Sequence, residues 1–83
     1  MITLHIQELV FVKQAAWRRK ITLVEIAEAT GISRMTLHRM IKDKSYKASL
    51  EHLEKLCTFF QCEIQELVKF LPESPNFSSI KSA

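Results

Sequence analysis

The sequence predicts a small all-α protein, a compact bundle of five helices with a short strand allowed at its N-terminus. Two observations lead to this prediction. The 83 residues include only one glycine and two prolines, so few positions interrupt a helix. Polar residues that cap helices also recur just before segments whose apolar side chains follow one another at three- and four-residue spacing. A chain of this length forms a single domain with one small core.

The first part of the chain combines a strand pattern with a helix pattern. Residues 1–6, MITLHI, alternate in hydropathy, which allows a short strand within an N-terminal extension of residues 1–8. From about residue 6 to residue 19 the apolar spacing becomes helical. Apolar side chains, including Phe11, cover more of this helix than the stripe of about 100° that one small core requires. We therefore expect the first helix to have a second contact surface.

The middle of the chain contains two predicted helices joined by a glycine. A T-x-x-E capping pattern begins at Thr22 and precedes the helix LVEIAEAT. Gly31 follows, and glycine adopts the left-handed backbone that ends many helices without strain. Ser33 then caps a third helix, RMTLHRMIK, of about residues 34–42. Ala27 is small at the point where we expect these two helices to cross.

Two further helices are expected beyond a polar connection at residues 43–48. Ser49 caps the helix LEHLEKLCTFF, and a fifth helix is expected from about residue 63 to residue 70. The positions expected to face inward are Leu50, Leu53, Leu56 and Cys57 in the fourth helix and Ile64, Leu67 and Val68 in the fifth. The helical domain is expected to span residues 9–73, followed by a tail of residues 74–83.

Several function classes find no support in the sequence. No apolar run reaches 18 residues and no basic segment precedes the first apolar stretch, so we expect a cytoplasmic protein without a membrane partner. We expect no enzyme, cofactor or metal, because there is no glycine-rich phosphate loop and no Cys–His or Ser–His pair at suggestive spacing. Cys57 and Cys62 are interpreted as small apolar residues near a helix end, while a disulfide or redox role stays open.

The positive charge is concentrated in the middle of the sequence. Residues 13–47 contain nine basic and three acidic side chains, a net charge of +6, whereas the remaining residues together carry −3. A basic middle beside an acidic remainder suits a polyanion that binds to one face. A basic surface that contacts only solvent is the alternative that charge alone leaves open.

Two short helices joined by about four residues that include a glycine make a helix-turn-helix. Ile26, Ile32, Leu37 and Met40 are expected to face inward from it. In a DNA-binding helix-turn-helix the N-terminal half of the second helix enters the major groove. Arginine donates paired hydrogen bonds to guanine, and methyl groups contact thymine. The candidates for base contact are Arg34, Met35, His38 and Arg39. Phosphate contact or simple solvation is the alternative for the arginines, and an ordinary exposed position for His38.

A second set of residues is predicted to contact DNA phosphates, because capping hydroxyls, helix N-termini and basic side chains bind them. This set is Thr22, Ser33, Thr36, Lys42, Lys44, Tyr46 and Lys47. Arg18 and Arg19 also flank the predicted reading helix and are expected to be able to reach phosphates.

The segment ITLVEIAEATGISRMTLHRMIKDKS resembles the Cro/repressor-type (XRE) helix-turn-helix family, and SLEHLEKLCTFFQCEIQELVKFLPE resembles that family's fourth and fifth helices. The resemblance covers about residues 9–73. It implies a lambda-repressor-like, five-helix domain that binds double-stranded DNA and acts on transcription, usually as a dimer. By position, Ser33, Arg34, Met35 and Arg39 fall where family members place residues that contact bases or phosphates.

The sequence departs from the family pattern at two positions. Leu23 stands where many members have a glutamine that contacts a phosphate, which puts that contact in doubt. Asp43 stands where a glycine commonly ends the recognition helix, and it adds a negative charge near the presumed DNA surface. We expect this charge to weaken non-specific affinity.

Two main hypotheses follow for function, and non-specific nucleoid or RNA binding, indifferent to sequence, is a third possibility. The first is a sequence-specific transcriptional regulator that binds DNA as a homodimer, formed through the first helix, the N-terminal strand or both. In this hypothesis the alternating strand pairs with its symmetry mate. The second is a protein-interaction module, such as an antitoxin or an accessory subunit, that uses a helix-turn-helix scaffold.

Overall fold

The computed structural model describes residues 1–72, and within this range the chain forms five α-helices and two short strands. In chain order they are β1 (Ile2–Leu4), α1 (Ile6–Trp17), α2 (Leu23–Thr30), α3 (Arg34–Lys42), α4 (Leu50–Phe60), α5 (Ile64–Leu67) and β2 (Val68–Phe70). The predicted five-helix architecture is confirmed, and the strand that the N-terminal alternation allowed is present. The predicted tail of residues 74–83 lies outside the described residues.

Local sequence signals set the starts of α2, α3 and α4. The hydroxyl groups of Thr22, Ser33 and Ser49 each accept a hydrogen bond of 3.1 Å from the backbone N–H three residues further on. Each bond satisfies one of the N–H groups that a helix start leaves without a partner inside the helix. These three helices have the bounds that their caps predicted.

Every helix contributes to one apolar core. Its buried side chains are Leu4, Ile6, Leu9, Ile21, Ile26, Ile32, Leu37, Met40, Leu56, Phe60 and Leu67. The four residues expected to face inward from the helix-turn-helix segment all belong to this set. Because α2 packs on both α3 and α4, the buried side of α3 rests on the rest of the bundle.

The C-terminal part of the predicted fifth helix is a strand. The helix ends at Leu67 rather than at Phe70, and β2 pairs antiparallel with β1, with Thr3 opposite Lys69 at the centre of the register. The pairing continues where the His5 N–H donates to the Leu67 carbonyl at 2.8 Å. The helix prediction was wrong here because periodicity inside the segment does not reveal a partner strand at the other end of the domain.

The first helix is shorter than predicted and leaves part of its apolar surface outside the core. It ends at Trp17 because Arg18 adopts a left-handed backbone, with φ of 57°, and donates its N–H to the Gln14 carbonyl. On its outer side Phe11 is 75% exposed and Val12 is 56% exposed. The second surface expected on this helix is therefore an apolar one.

Two residues expected to face inward are exposed. Leu50 is 83% exposed and Ile64 is 47% exposed, and each is the first residue of its helix. Because Cα–Cβ bonds tilt toward the helix N-terminus, a side chain at this position leans past the end of the helix and away from the core. The other positions predicted to face inward from these helices are buried or half-buried.

Candidate nucleic-acid interface

The turn between α2 and α3 depends on the backbone conformation of Gly31. Its φ is 78°, in the left-handed region, and its N–H donates to the Ala27 carbonyl at 2.8 Å. A Cβ added here would meet no atom closer than the Lys55 Nζ, at 4.0 Å. Glycine is therefore favoured at this position by the backbone angle and not by a lack of space.

A buried hydroxyl group holds the same turn, and sequence reasoning missed it. Thr30, which is 5% exposed, donates its hydroxyl to the Ile26 carbonyl at 2.6 Å and accepts from the Ile32 N–H at 3.2 Å. The signal was a threonine directly before the helix-ending glycine, since its hydroxyl reaches the carbonyl four residues earlier. Thr30 thereby links the last turn of α2 to the chain that enters α3.

The starts of α2 and α3 contain the first group of predicted phosphate contacts, Thr22, Ser33 and Thr36. Ser33 accepts from the Thr36 N–H at 3.1 Å and donates its hydroxyl to Thr36 Oγ1 at 2.9 Å. Because Thr36 accepts this bond, its own hydroxyl proton can be donated to an outside acceptor. The N–H groups and dipole of a helix start also favour an anion. Contact with phosphate stays a prediction for all three.

The outer face of α3 brings together the four predicted base-contacting side chains. All four are exposed: Arg34, Met35, His38 and Arg39. On the opposite face Leu37 and Met40 are completely buried, which fixes the rotation of the helix about its axis. Within residues 1–72 neither arginine forms an ion pair. Both guanidinium groups are therefore open to a partner, and their contact with bases stays a prediction.

The second group of predicted phosphate contacts lies at the other end of α3, about 13 Å away for a helix of nine residues. Lys42 and Lys47 are exposed, and in the described part of the chain neither is paired with an acidic side chain. Tyr46 is half-buried and packs against the core, so its ring is partly removed from a partner's reach. The two lysines are the more accessible members of this group.

Lys44, the remaining member, is engaged with α1. Its Nζ lies 2.6 Å from Glu8 Oε2, and its carbonyl accepts a hydrogen bond of 2.7 Å from the Leu4 N–H. The hydrogen bond from Lys44 lowers the pKa of Glu8 to about 2. Lys44 must therefore release or share Glu8 to contact a phosphate.

Arg19 is also held by an acidic side chain, which the sequence did not indicate. Its two guanidinium nitrogens lie 2.9 Å and 2.7 Å from the two carboxylate oxygens of Glu25, and its guanidinium carbon lies 5.3 Å from the ring centroid of Trp17. The hydrogen bond from Arg19 is the main reason that the pKa of Glu25 is lowered. This pair fastens the end of α1 to the start of α2 and makes Arg19 less available to a phosphate than expected.

The two departures from the family pattern have local explanations. The Asp43 backbone has a φ of −116°, so the end of α3 does not require a glycine. Its carboxylate accepts hydrogen bonds from the Ser45 N–H at 3.0 Å and the Ser45 hydroxyl at 2.7 Å, which orders the following turn. Leu23 is half-buried against the core, so this position of α2 contributes packing instead of a polar contact.

Residues 1–72 contain neither a membrane-spanning helix nor a cluster of metal ligands. None of the helices there is long and apolar enough to cross a membrane. The same residues contain no cluster of three or more His, Cys, Asp or Glu side chains placed to hold a metal ion.

Comparison with known proteins assigns the chain to a family. None of the curated proteins matches the sequence significantly. A family model described as the Cro/C1-type HTH DNA-binding domain matches residues 13–73. The matched segment includes α2, the turn at Gly31 and α3, and it spans most of the chain. The chain therefore belongs to the family of Cro/C1-type helix-turn-helix DNA-binding domains.

Proposed function

We propose that the protein is a sequence-specific DNA-binding transcriptional regulator that places α3 in the major groove. The observation that carries this proposal is the outer face of α3, where Arg34 and Arg39 are exposed and form no ion pair within residues 1–72. Leu37 and Met40 fix the opposite face of the helix in the core. Family membership supports DNA as the polyanion that this face binds.

In the proposed complex the two arginines contact base edges. A guanidinium group donates two parallel hydrogen bonds to guanine O6 and N7, and each good pair of this kind discriminates by about 1–3 kcal/mol against a wrong base. Met35, which is 69% exposed between them, supplies an apolar contact for a thymine methyl group. Sequence preference then comes from residues on one rigid helix face.

Phosphate contacts orient that face on the duplex. Phosphates on one side of the groove are contacted by the hydroxyl of Thr36 and by the starts of α2 and α3. Phosphates on the other side are contacted by Lys42 and Lys47. Each phosphate that a basic side chain neutralises releases counterions, so the logarithm of affinity falls with the logarithm of salt concentration. Lys44 contributes less than either of these lysines because Glu8 holds it.

We propose that the regulator acts as a homodimer formed through the two-stranded sheet. Four apolar side chains at this end of the molecule are at least half exposed: Met1, Ile2, Phe70 and Leu71. One edge of β1 pairs with β2, and next to this pairing the Leu4 N–H at the end of β1 donates to the Lys44 carbonyl. The outer edge of β2 is therefore the favoured site for the symmetry mate, instead of β1 as the sequence suggested. Two copies related by a twofold axis suit half-sites about 34 Å apart.

Sedimentation tests the dimer. Wild type is expected to sediment at twice the 9.7 kDa mass of the chain at tens of micromolar, and Phe70→Glu is expected to sediment at the monomer mass. Phe11→Glu, which places the same charge on α1, is the matched control and is expected to leave the dimer intact. A wild-type monomer at these concentrations would contradict the dimer without affecting the DNA proposal.

Selection from a random-sequence DNA pool tests the function itself. At low salt we expect enrichment of one short motif, repeated with twofold symmetry at a fixed spacing. Binding without any enriched motif would contradict sequence-specific regulation and would indicate non-specific nucleic-acid binding. Absence of binding at low salt would reject DNA as the partner.

One observation favours a second candidate function, a protein-interaction module such as an antitoxin or accessory subunit. Phe11 and Val12 form an exposed apolar surface on α1, whereas the arginines belong to α3. Replacing both arginines with alanine separates the two functions in the cell. Loss of cellular activity with the fold intact supports the regulator, whereas unchanged activity supports the interaction module.

A further inference from the structure

The end of α4 brings two cysteines together by backbone geometry. Gln61 adopts a left-handed conformation, with φ of 53°, and its N–H donates to the Thr58 carbonyl at 3.3 Å. The Cys62 N–H donates to the Cys57 carbonyl at 3.1 Å. These two nested bonds define a Schellman motif, in which the side chains at the positions of Cys57 and Cys62 commonly contact each other.

Both thiols belong to the surface of the molecule as well as to the edge of the core. Cys57 and Cys62 are each half-buried, and both are free thiols. They line one shallow depression together with residues such as Thr58 and Glu66. A small reagent in solution therefore approaches both residues from the same side.

The electrostatic environment of Cys62 shows the same proximity. Its pKa is raised to about 11, first by burial and then by the charge and hydrogen bonding of Cys57. Glu66 raises this pKa further, and Lys13 opposes the shift. Burial and the nearby Cys57 thus both favour the protonated form of the Cys62 thiol.

We propose that Cys57 and Cys62 form an oxidisable dithiol that a peroxide converts to an intramolecular disulfide at the end of α4. Simple apolar packing is the competing explanation, because the Schellman motif favours any apolar pair at these two positions. Disulfide formation requires more than packing, because the two sulfur atoms must approach each other in the specific geometry of a disulfide bond.

The reaction balances with hydrogen peroxide as the oxidant. The Cys57 thiolate attacks one peroxide oxygen, the O–O bond breaks, and sulfenic acid forms while hydroxide leaves and takes up the proton that Cys57 released. The Cys62 sulfur then attacks the Cys57 sulfur, the S–O bond breaks, and the Cys62 proton leaves with the hydroxyl group as water. Two thiols and one peroxide thus give one disulfide and two waters.

Mass spectrometry of the full chain tests the proposal. Trypsin cleaves after Lys55 and Lys69, so one peptide, residues 56–69, contains both cysteines. After peroxide treatment of the folded protein, we expect this peptide to be about 2 Da lighter and to take up no alkylating reagent until it is reduced. A peptide that takes up two alkyl groups, or a product in which cysteines link separate chains, would overturn the proposal.

Equilibration in a glutathione redox buffer tests whether the folded structure favours the disulfide. The same measurement on the unfolded chain accounts for the short separation of the two cysteines in sequence. We expect the equilibrium constant for the intramolecular disulfide to be at least about tenfold higher in the folded chain than in urea, because the turn preorganises the thiols. An equal or lower constant in the folded chain would show that the native geometry only packs the two side chains.

Two substitutions at Gln61 test the role of the turn without removing a thiol. Gln61→Gly preserves the left-handed conformation and is expected to leave the equilibrium constant within about twofold of wild type. Gln61→Val disfavours it and is expected to lower the constant several-fold, since β-branched residues are strained there. Circular dichroism checks that α4 persists in both variants. Equal constants for the two folded variants would overturn the proposal.

Discussion

The outer faces of α3 and α1 differ in chemistry although both helices bury their inner faces in the same core. On α3 the exposed residues include Arg34 and Arg39, and on α1 they include Phe11 and Val12. The arginines of α3 have no acidic partner within residues 1–72, whereas Glu8 on α1 pairs with Lys44. One face is thus open to anions and the other to apolar surfaces.

Core packing alone therefore does not identify the functional surface. Each helix packs one face into the core, and the side chains on its exposed face decide the class of partner. A cationic face suits a nucleic-acid backbone and base edges, and an apolar face suits another protein. Substitutions that damage the shared core should therefore harm both faces, whereas substitutions on either outer face should act separately.

The largest expected effect comes from the buried side of α3. Leu37→Ala is expected to lower the free energy of unfolding by about 2–5 kcal/mol, because Leu37 is completely buried and its removal leaves a cavity. Urea denaturation measures the change. Leu50→Ala is the matched control, and its effect is expected to stay within about 0.5 kcal/mol because Leu50 is 83% exposed. Equal effects of the two substitutions would contradict this account of the core.

The turn that aims α3 gives the next largest effect. Gly31→Val is expected to cost about 1–3 kcal/mol of stability, because its φ of 78° strains a β-branched residue while the space for a side chain is open. Gly31→Asn is expected to cost less, since asparagine tolerates the left-handed conformation. Thermal or urea unfolding of the two variants measures the difference. An asparagine variant as unstable as the valine variant would point to a steric cause instead.

How far the sequence predicted the fold depends on whether a feature is local. The bounds of α2, α3 and α4 follow from their caps and from Gly31, all of which act within a few residues. The change from α5 to β2 was not predictable in this way, because it depends on pairing with β1 across the domain. Leu50 and Ile64 were wrongly placed inside because periodicity ignores where a helix begins relative to the core.

The same limit applies to the candidate site. Exposure of Met35 and burial of Leu37 follow from helical spacing, so the outer face of α3 was predictable from sequence. The partners of Arg19 and Lys44 were not, because Glu25 and Glu8 approach them only once the helices have packed. The hydroxyl bonds of Thr30 were also missed, although its place beside the glycine was visible.

An ion pair between α1 and the connection that follows α3 gives a smaller, pH-dependent effect. Glu8 has its pKa lowered to about 2, so the stabilisation from its contact with Lys44 is complete above the ordinary value of 4.5 and is lost as pH falls toward 2. Both side chains are about half exposed, at 51% and 49%, so solvent screens the pair. Glu8→Gln is therefore expected to cost about 0.3–1 kcal/mol at pH 7 and less at pH 3.

Urea denaturation at the two pH values measures this contribution, and a looser ion pair provides the control. Lys55 and Glu51 lie 3.6 Å apart, with Glu51 71% exposed, so Glu51→Gln is expected to have the smaller effect at pH 7. A Glu8→Gln cost that stays the same or grows at pH 3 would contradict the assigned role of the Glu8 carboxylate.

The smallest effect on stability is expected on the outer face of α1. Replacing both Phe11 and Val12 with serine should change the free energy of unfolding by no more than about 0.5 kcal/mol, because both side chains are mostly exposed. It should also leave DNA affinity unchanged. Urea denaturation and a DNA-binding titration check these expectations. A large loss of DNA affinity would show that the two faces are not independent.

Base reading by α3 is tested by the affinity of arginine-to-lysine variants for an enriched DNA site and for a scrambled duplex, at one fixed salt concentration. Arg34→Lys and Arg39→Lys keep the charge but lose the paired hydrogen bonds, and Lys55→Ala removes one exposed charge from α4 as a control. If α3 reads bases, at least one lysine variant loses about 1–3 kcal/mol on the enriched site and little on the scrambled one. The control variant weakens both duplexes alike, if at all. Lysine variants that bind both duplexes as wild type does would contradict the claim that these arginines read sequence.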